Sequence, residues 1–296
     1  MNTNTEKFKA MVTAFGLAFK NAFEGAPDIS GKFAMTVGDS AHQIVELPFF
    51  EAFTFMRKWI GDRQVKNLQG AKLTLREDGF EDTIGISERD FECDNWSLYA
   101  NAVRQMGENA AALWDRLATE ALVNAGNWID GKAFFATDRK YGKSTISNKT
   151  TSALSAATFN TAYEAMQSYK GHNGEPMCVT PDTLMVGPKN RKTAFDIINA
   201  NLISDGTTTV DNPNKGLVDV IVNPRLVGDA DDYWFLMKSK GAIKPVALQK
   251  SRAPRLTVLD KATDESVFMR GDILIGSDAY GSAAAAFPHL VYAGIL

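Results

Sequence analysis

Between Asp94 and Gly126 the sequence carries one unbroken apolar stripe. Tyr99, Val103, Met106, Ala110, Leu113, Leu117 and Ala121 recur at three- and four-residue spacing, the period of a single helix face. Asp94 or Asn95 can supply the N-cap and Gly126 the stop. A helix over residues 95–124 would be ~45 Å long, more than the diameter of a small domain. Such a helix is a strut, and the rest of the chain must be read as layers resting on it.

An earlier stripe runs through Phe8, Met11, Val12, Phe15, Phe19 and Phe23, and stops at Gly25 and Pro27. This N-terminal helix could dock on its own core or on a neighbour. A membrane-surface role fits less well, because its polar face is not strongly basic. "AKLTLR" (71–76) alternates, and so does "TIGIS" (83–87), with the turn-like "EDGFED" between them. The pattern predicts a β-hairpin with Gly79 in its turn. A lone hairpin with one narrow apolar face is marginal and needs something to lie on.

Beyond the strut, residues 131–154 are rich in Ser, Thr and Lys and predict a connection at a subdomain boundary. "SAATFNTAYEAMQSYK" and "KNRKTAFDIINANL" then read as helices, and "MCVTPDTLMVGP", "GLVDVIVNPRLV" and "DYWFLMK" as strands. Helix alternating with strand describes a small α/β unit. The tail from Gly241 to Leu296 reads as strand and turn returning to the first layer.

The search for chemistry finds little. There is no G-x-G, no phosphate loop and no G-x-S-x-G elbow. His42, His172 and His289 lie far apart and read as surface or structural residues rather than ligands. Asp229, Asp231 and Asp232 could hold a hard cation for a hydrolase. Their place before a strand reads instead as a solvated turn. "DNPNKG" (211–216) lacks the distal Glu of a calcium loop. "RGD" (270–272) interrupts a strand-like run, and "NKT" (148–150) is a glycosylation sequon only in a secreted chain.

Cys93 and Cys178 are too few for a disulfide framework and read as buried small hydrophobes in a reducing compartment. The net charge of −3 argues against a chain whose main task is gripping phosphate backbones. No apolar run reaches the length of a transmembrane helix, and the start of the chain lacks a signal-peptide core, so a cytosolic product is expected. No catalytic residue, metal site or cofactor is expected.

Several segments, in order, are similar to the major head protein of Mu-like phages and prophages. They are "NAFEGAP", "KWIGDRQVKNL", "FEDTIGISERDFECD", "GKAFFATD", "GEPMCVTPDTLMVGP" and "DYWFLMKSKGAIKPVALQ". The resemblance covers most of the chain, although Arg139 stands where the family pattern has a histidine. It implies an α+β fold, the Hong Kong 97-type phage capsid fold. On that basis residues 1–60 are the N-terminal arm and the start of the peripheral domain, and 61–93 the extended E-loop. Residues 94–151 are the peripheral domain with its spine helix, 152–238 the axial domain, and 239–296 the return to the peripheral domain.

The implied function is a major capsid protein that self-assembles through hexamers and pentamers into an icosahedral head enclosing double-stranded DNA. The DNA would be held without sequence-specific contacts. Scaffold and portal proteins are the further partners implied, with no membrane. The product would be a virion protein assembled in the bacterial host cytoplasm. An encapsulin-like compartment holding cargo enzyme is the alternative on the same fold. In the capsid reading the charges around the E-loop are subunit contacts: Trp59, Asp62, Arg63, Lys66, Arg76, Glu88, Arg89 and Asp90. The same charges could instead keep an exposed hairpin soluble and block unwanted edge pairing.

Overall fold

The computed structural model describes residues 2–38, 42–50, 70–87, 89, 93, 96–142, 144–171, 174–204, 209–259 and 264–296. The strut is present as α3 (Trp96–Val123), and the N-terminal stripe forms α1 (Asn2–Gly25). α1 lies along the first half of α3. Met11, Phe15 and Phe19, four residues apart, are buried against Val103 and Met106. Gly107 permits this approach, because a Cβ at that position would lie 2.6 Å from the carbonyl oxygen of Phe19.

After the short α2 (Ser30–Phe33) come β1 (Ala34–Val37), β2 (Ile44–Phe50), β3 (Gly70–Arg76) and β4 (Asp78–Ser87). Two long strands near the C-terminus, β13 (Val246–Leu259) and β14 (Asp272–Ala285), complete a four-stranded sheet in the order β1-β13-β14-β4. β1 runs parallel to β13, and the other pairs are antiparallel. Ile86, Ile273 and Ile275 face the α1–α3 layer and close a core with it.

The predicted hairpin between 71–76 and 83–87 does not form. β3 pairs with β2, with Leu75 opposite Val45 and Leu73 opposite Leu47. β4 pairs with β14, with Ile86 opposite Ile273 and Ile84 opposite Ile275. Only Glu77 separates β3 from β4, and even the tightest hairpin needs a two-residue loop. Gly79 is therefore extended strand opposite Tyr280, not a turn. Leu73 and Leu75 bury against Ala247 and Ala286, which anchors the β2–β3 hairpin on the face of the four-stranded sheet.

The second half of α3 carries the main core. Ala118 and Leu122 belong to the same buried cluster as a five-stranded sheet in the order β11-β8-β12-β15-β7. Its strands are β7 (Lys149–Thr150), β8 (Thr183–Val186), β11 (Asp219–Val222), β12 (Trp234–Met237) and β15 (Val291–Gly294). β8 and β12 are buried at every position, the pattern of strands covered on both faces. α4 (Ala156–Gln167), entered through a capping box at Ser155, and α5 (Arg191–Ile198) contribute Phe159, Met166, Ile197 and Ile198 to this core. β9 (Leu202–Ser204) and β10 (Thr209–Asp211) form a separate antiparallel ribbon.

Three further expectations need correction. Residues 131–154 are not a linker: β5 (Arg139–Tyr141) and β6 (Ser144–Ile146) pair, and Phe134, Phe135, Tyr141 and Ile146 enter the main core. Their polar composition misled because Arg139 and Asn148 are buried as internal braces. The Arg139 guanidinium pairs with Asp130, donates to the Phe134 carbonyl at 3.2 Å and stacks over Trp128. Asn148 Nδ2 donates to the carbonyls of Phe134 and Pro288 at 3.1 and 3.0 Å. The C-terminal tail also divides. β13 and β14 return to the first layer, but β15 inserts between β12 and β7 in the second sheet. Finally, Cys93 and Cys178 are exposed, Cys178 in a loop at φ 52.

One buried polar chain ties the two halves to α3. Asn223 Nδ2, just after β11, donates to Thr119 Oγ1 at 2.8 Å, and Thr119 Oγ1 donates to the Asp115 carbonyl at 2.7 Å. The Asp115 carboxylate accepts from the backbone N–H of Ile29 and Ser30 at 3.0 and 2.6 Å. A single turn of the strut therefore fixes both the second sheet and the elbow that follows α1.

Candidate functional site

Of the eight residues singled out as contacts, Trp59, Asp62, Arg63, Lys66, Glu88 and Asp90 lie outside the described residues. Arg76 closes β3 opposite Ile44 and is exposed, and Arg89 is exposed. The surface around them can be built from the two strands that flank Glu77.

β3 has one partner, β2, and contains two basic residues and no acid. Its alternation places Leu73 and Leu75 inward and Lys72, Thr74 and Arg76 outward. Lys72 Nζ lies 2.6 Å from Glu46 Oε2 across the hairpin, with both side chains more than half exposed. Such a pair is worth ~0.2–1 kcal/mol and exchanges readily.

β4 is the opposite case. It is an outer strand of the four-stranded sheet, and its ten residues include Asp78, Glu81 and Asp82 and no base. All three acids are exposed, and none forms an ion pair with another described residue. The neighbouring strands satisfy their own charges. Asp278 of β14 accepts from Arg252 at 2.9 Å and Arg255 at 3.1 Å, and Arg252 also stacks on Tyr280 at 4.2 Å. Between β4 and α3 lies an open groove of about 360 Å³ with Phe80, Met106 and Leu113 on its apolar side and Glu81, Asp82 and Arg116 on its polar side. The Arg116 guanidinium covers the Phe80 ring at 5.6 Å. The sequence predicts a turn for this acidic stretch. Its lack of any base beside a basic β3 was the available signal.

The remaining candidates resolve into structural parts. Lys189 Nζ bridges Asp231 at 3.2 Å and Asp232 at 2.6 Å, so two carboxylates of that cluster share a lysine. Asn212 of "DNPNKG" donates to the Ile197 and Ala200 carbonyls, at 2.8 and 3.0 Å, and accepts from Asn214 N–H, stapling α5 to the following loop. Gly271 of "RGD" is the left-handed cap, φ 67, of α6 (Glu265–Arg270). His42 is exposed, and His172 lies outside the described residues. His289 is buried. Burial, with Lys238 and Arg139 nearby, pushes its pKa down to about 3. Burial alone would raise the Asp182 carboxyl. The N–H groups of Ser239 and Lys240 and the hydroxyls of Thr183 and Ser239 outweigh it and hold the group below its usual range. Among the described residues no group of three or more His, Cys, Asp and Glu side chains is arranged to hold a metal ion, and no helix is long and apolar enough to cross a membrane.

Comparison with known proteins gives a consistent result. Residues 8–153, 141–226 and 225–294 match the family described as Mu-like prophage major head subunit gpT. The major capsid protein of Escherichia phage Mu is 22% identical, over 72% of this chain and 96% of that protein. The Mu-like prophage FluMu major head subunit of Haemophilus influenzae is 21% identical, over 99% of this chain and 74% of that protein. Among solved structures, a chain of the procapsid of bacteriophage JBD30 superposes with a TM-score of 0.58 at 22% identity, covering 98% of this chain and 75% of that one.

Proposed function

The chain belongs to the family of Mu-like prophage major head subunits, and from that membership we infer that it is the major capsid protein of a Mu-like tailed phage or prophage. Its fold is the Hong Kong 97-type phage capsid fold. The observation that carries the reading is the family match, which runs in three overlapping pieces from residue 8 to residue 294. A match to head subunits does not favour the encapsulin-like compartment. The family is one of structural capsid proteins, and its members need no catalytic centre.

The finer parts follow from the same reading. The subunit assembles into hexamers and pentamers of a closed shell, a structure built from many copies of a few contacts. The four-stranded sheet with α1 and the first half of α3 serves as the peripheral domain, and the five-stranded sheet with α4 and α5 as the axial domain. The hairpin β2–β3, whose strands flank residues 51–69, takes the E-loop role in place of the expected span 61–93, because β4 within that span pairs with β14 in the four-stranded sheet. Trp59, Asp62, Arg63 and Lys66 belong to that intervening segment. Together with Arg76, Glu88, Arg89 and Asp90 they serve as contacts to neighbouring subunits. Scaffold, portal and packaged double-stranded DNA are the further partners, and assembly takes place in the host cytoplasm before the protein enters the virion. The mild acidity of the chain suits a shell that must not grip its DNA.

Expression of the protein with its scaffold, followed by sedimentation and negative-stain electron microscopy, tests the reading. Closed shells, or tubes and polyheads without scaffold, are expected. A stable monomer or dimer at high concentration with scaffold present would overturn it.

A further inference from the structure

Three open grooves meet at Arg225, which lines all of them. The first is the groove between β4 and α3 described above. The second, about 580 Å³, lies between α3 and the elbow from Gly25 to Ile29. The third, about 680 Å³, lies between the last turns of α3 and the turn from Pro224 to Tyr233. Together they follow α3 from Gln105 to Val123, a length of ~27 Å.

The charge of these grooves is one-sided. Glu81 and Asp82 line the first, Glu108 and Asp115 the second, and Glu120 and Asp229 the third. Against these six acids stand two bases. Arg116 covers the Phe80 ring, and Arg225 donates to the Ala112 carbonyl at 3.0 Å. Five of the acids are exposed, and none of the five forms an ion pair with another described residue. Asp115 is the sixth. It is only 7% exposed, its Oδ1 takes both N–H donors of the elbow, and its Oδ2 has no hydrogen bond to any described residue. A carboxylate oxygen so placed gains most from a charged donor brought in from outside. Between the acids the lining is apolar, with Phe80 and Leu113 in the first groove, Ile29 in the second and Val227 in the third.

We propose that these joined grooves receive a basic, amphipathic segment of the scaffold protein. Its lysines and arginines meet the acids, and its apolar side chains cover Phe80, Leu113 and Val227. A helix of about 18 residues spans the same ~27 Å. DNA is a poor occupant, since its phosphates would face the same carboxylates. The basic helix of this chain itself, α1, already has its apolar stripe buried against α3, so the occupant comes from a different protein. Exposed ion pairs are individually weak and screened by salt, so a segment held this way docks fast and leaves readily. This rests on the reading of the chain as a capsid subunit assembled with a scaffold, and it names the surface and the chemistry that reading leaves open.

Two experiments test it. In the first, the full chain carries E81Q/D82Q/E108Q/E120Q, and binding of the scaffold protein to the isolated subunit is measured. Affinity should fall at least about tenfold, the combined loss of four exposed pairs, while thermal unfolding shows a folded subunit. Wild-type affinity should weaken as salt is raised. The control E164Q/D211N neutralises exposed acids away from the grooves and should bind like wild type. A folded groove variant that binds like wild type, or a control that loses as much, would overturn the proposal. The second uses unaltered protein and does not depend on the variants folding. Particles assembled from scaffold and mixed light and heavy isotope-labelled subunits are treated with a carbodiimide, which joins lysine to a touching carboxylate. Lysines of the scaffold should couple to Glu81, Asp82, Glu108 or Glu120. Particles in which these acids couple only to another copy of this chain, or to nothing, would overturn the proposal while leaving self-assembly intact. Wild-type protein that forms no particles with scaffold present would instead remove the reading on which it rests.

Discussion

Gly294 in β15 stands opposite Trp234 in β12, and the indole occupies the space that a side chain at 294 would need. A Cβ there would lie 2.0 Å from Trp234 Nε1. The indole is itself buried and donates to the Ser152 carbonyl at 3.1 Å, so it has nowhere to go. Gly294→Ala is expected to cost at least ~3 kcal/mol, the upper end of overpacking in a closed core. Thermal unfolding of the subunit would measure it. Near-wild-type stability would mean the indole has an alternative site.

The buried chain from Asn223 through Thr119 to Asp115 gives a second expectation. Asn223→Ala removes the donor to Thr119 and the acceptor that holds the Arg225 N–H at 3.0 Å. The loss should be about 2 kcal/mol, the cost of leaving buried polar groups unpaired. Denaturant unfolding would read this as a lower midpoint with an unchanged slope.

His289 gives the pH dependence. Its folded pKa, about 3, lies below the value near 6.5 of an unfolded histidine. The unfolded chain therefore takes up the proton first as pH falls. The stability contributed by keeping this ring neutral is fully present above about pH 6.5 and is lost progressively from there toward about pH 3. His289→Gln should start lower at pH 7.5 and show a shallower decline over that window. Stability of the two proteins measured across the window would show parallel curves if the reading were wrong.

Lys189, Asp231 and Asp232 are expected to ignore divalent cations. The lysine already engages both carboxylates at the surface and offsets one of their two charges. Millimolar magnesium or calcium should leave the melting temperature unchanged, and Asp231→Asn should shift stability by under ~0.5 kcal/mol. A cation-dependent rise in melting temperature that disappears in Asp231→Asn would identify a binding site.

For the proposed contact residue Arg63, the expectation separates folding from assembly. Arg63→Glu should leave the unfolding of the isolated subunit within ~0.5 kcal/mol of wild type. The yield of shells should fall sharply, because the mispaired charge recurs at every copy of the contact. Normal shells from this variant would remove Arg63 from the contact set.

The parts of the fold legible in the sequence are those set by local periodicity. α1 and α3 could be read to within a few residues because Met11, Phe15 and Phe19, and Val103, Met106 and Leu113, repeat on one helical face. Strand pairing is non-local and was not legible. Gly79 and its acidic neighbours have the composition of a turn, yet β14, about two hundred residues away in the chain, holds them extended. The stretch from 131 to 154 was misread for a related reason. Arg139 and Asn148 look like solvent residues until the carbonyls they satisfy, those of Phe134 and Pro288 among them, are brought together in space. Of the contact surface, sequence could point to charged segments. It could not say which strand edges the sheets leave free.

The single residue Glu77 has a mechanical consequence. Its N–H donates to the Gln43 carbonyl at 3.0 Å, so the hairpin ladder runs unbroken to the point where β4 begins. No slack separates the two sheets, so any tilt of the hairpin must bend the backbone at Glu77 and slide Leu73 and Leu75 over Ala247 and Ala286. Seven residues of extended strand make an arm of roughly 24 Å. A tilt of about 10° at Glu77 would then sweep the far end of β3 through about 4 Å. Small bends at one backbone position would thus set how far each hairpin reaches from its own sheet.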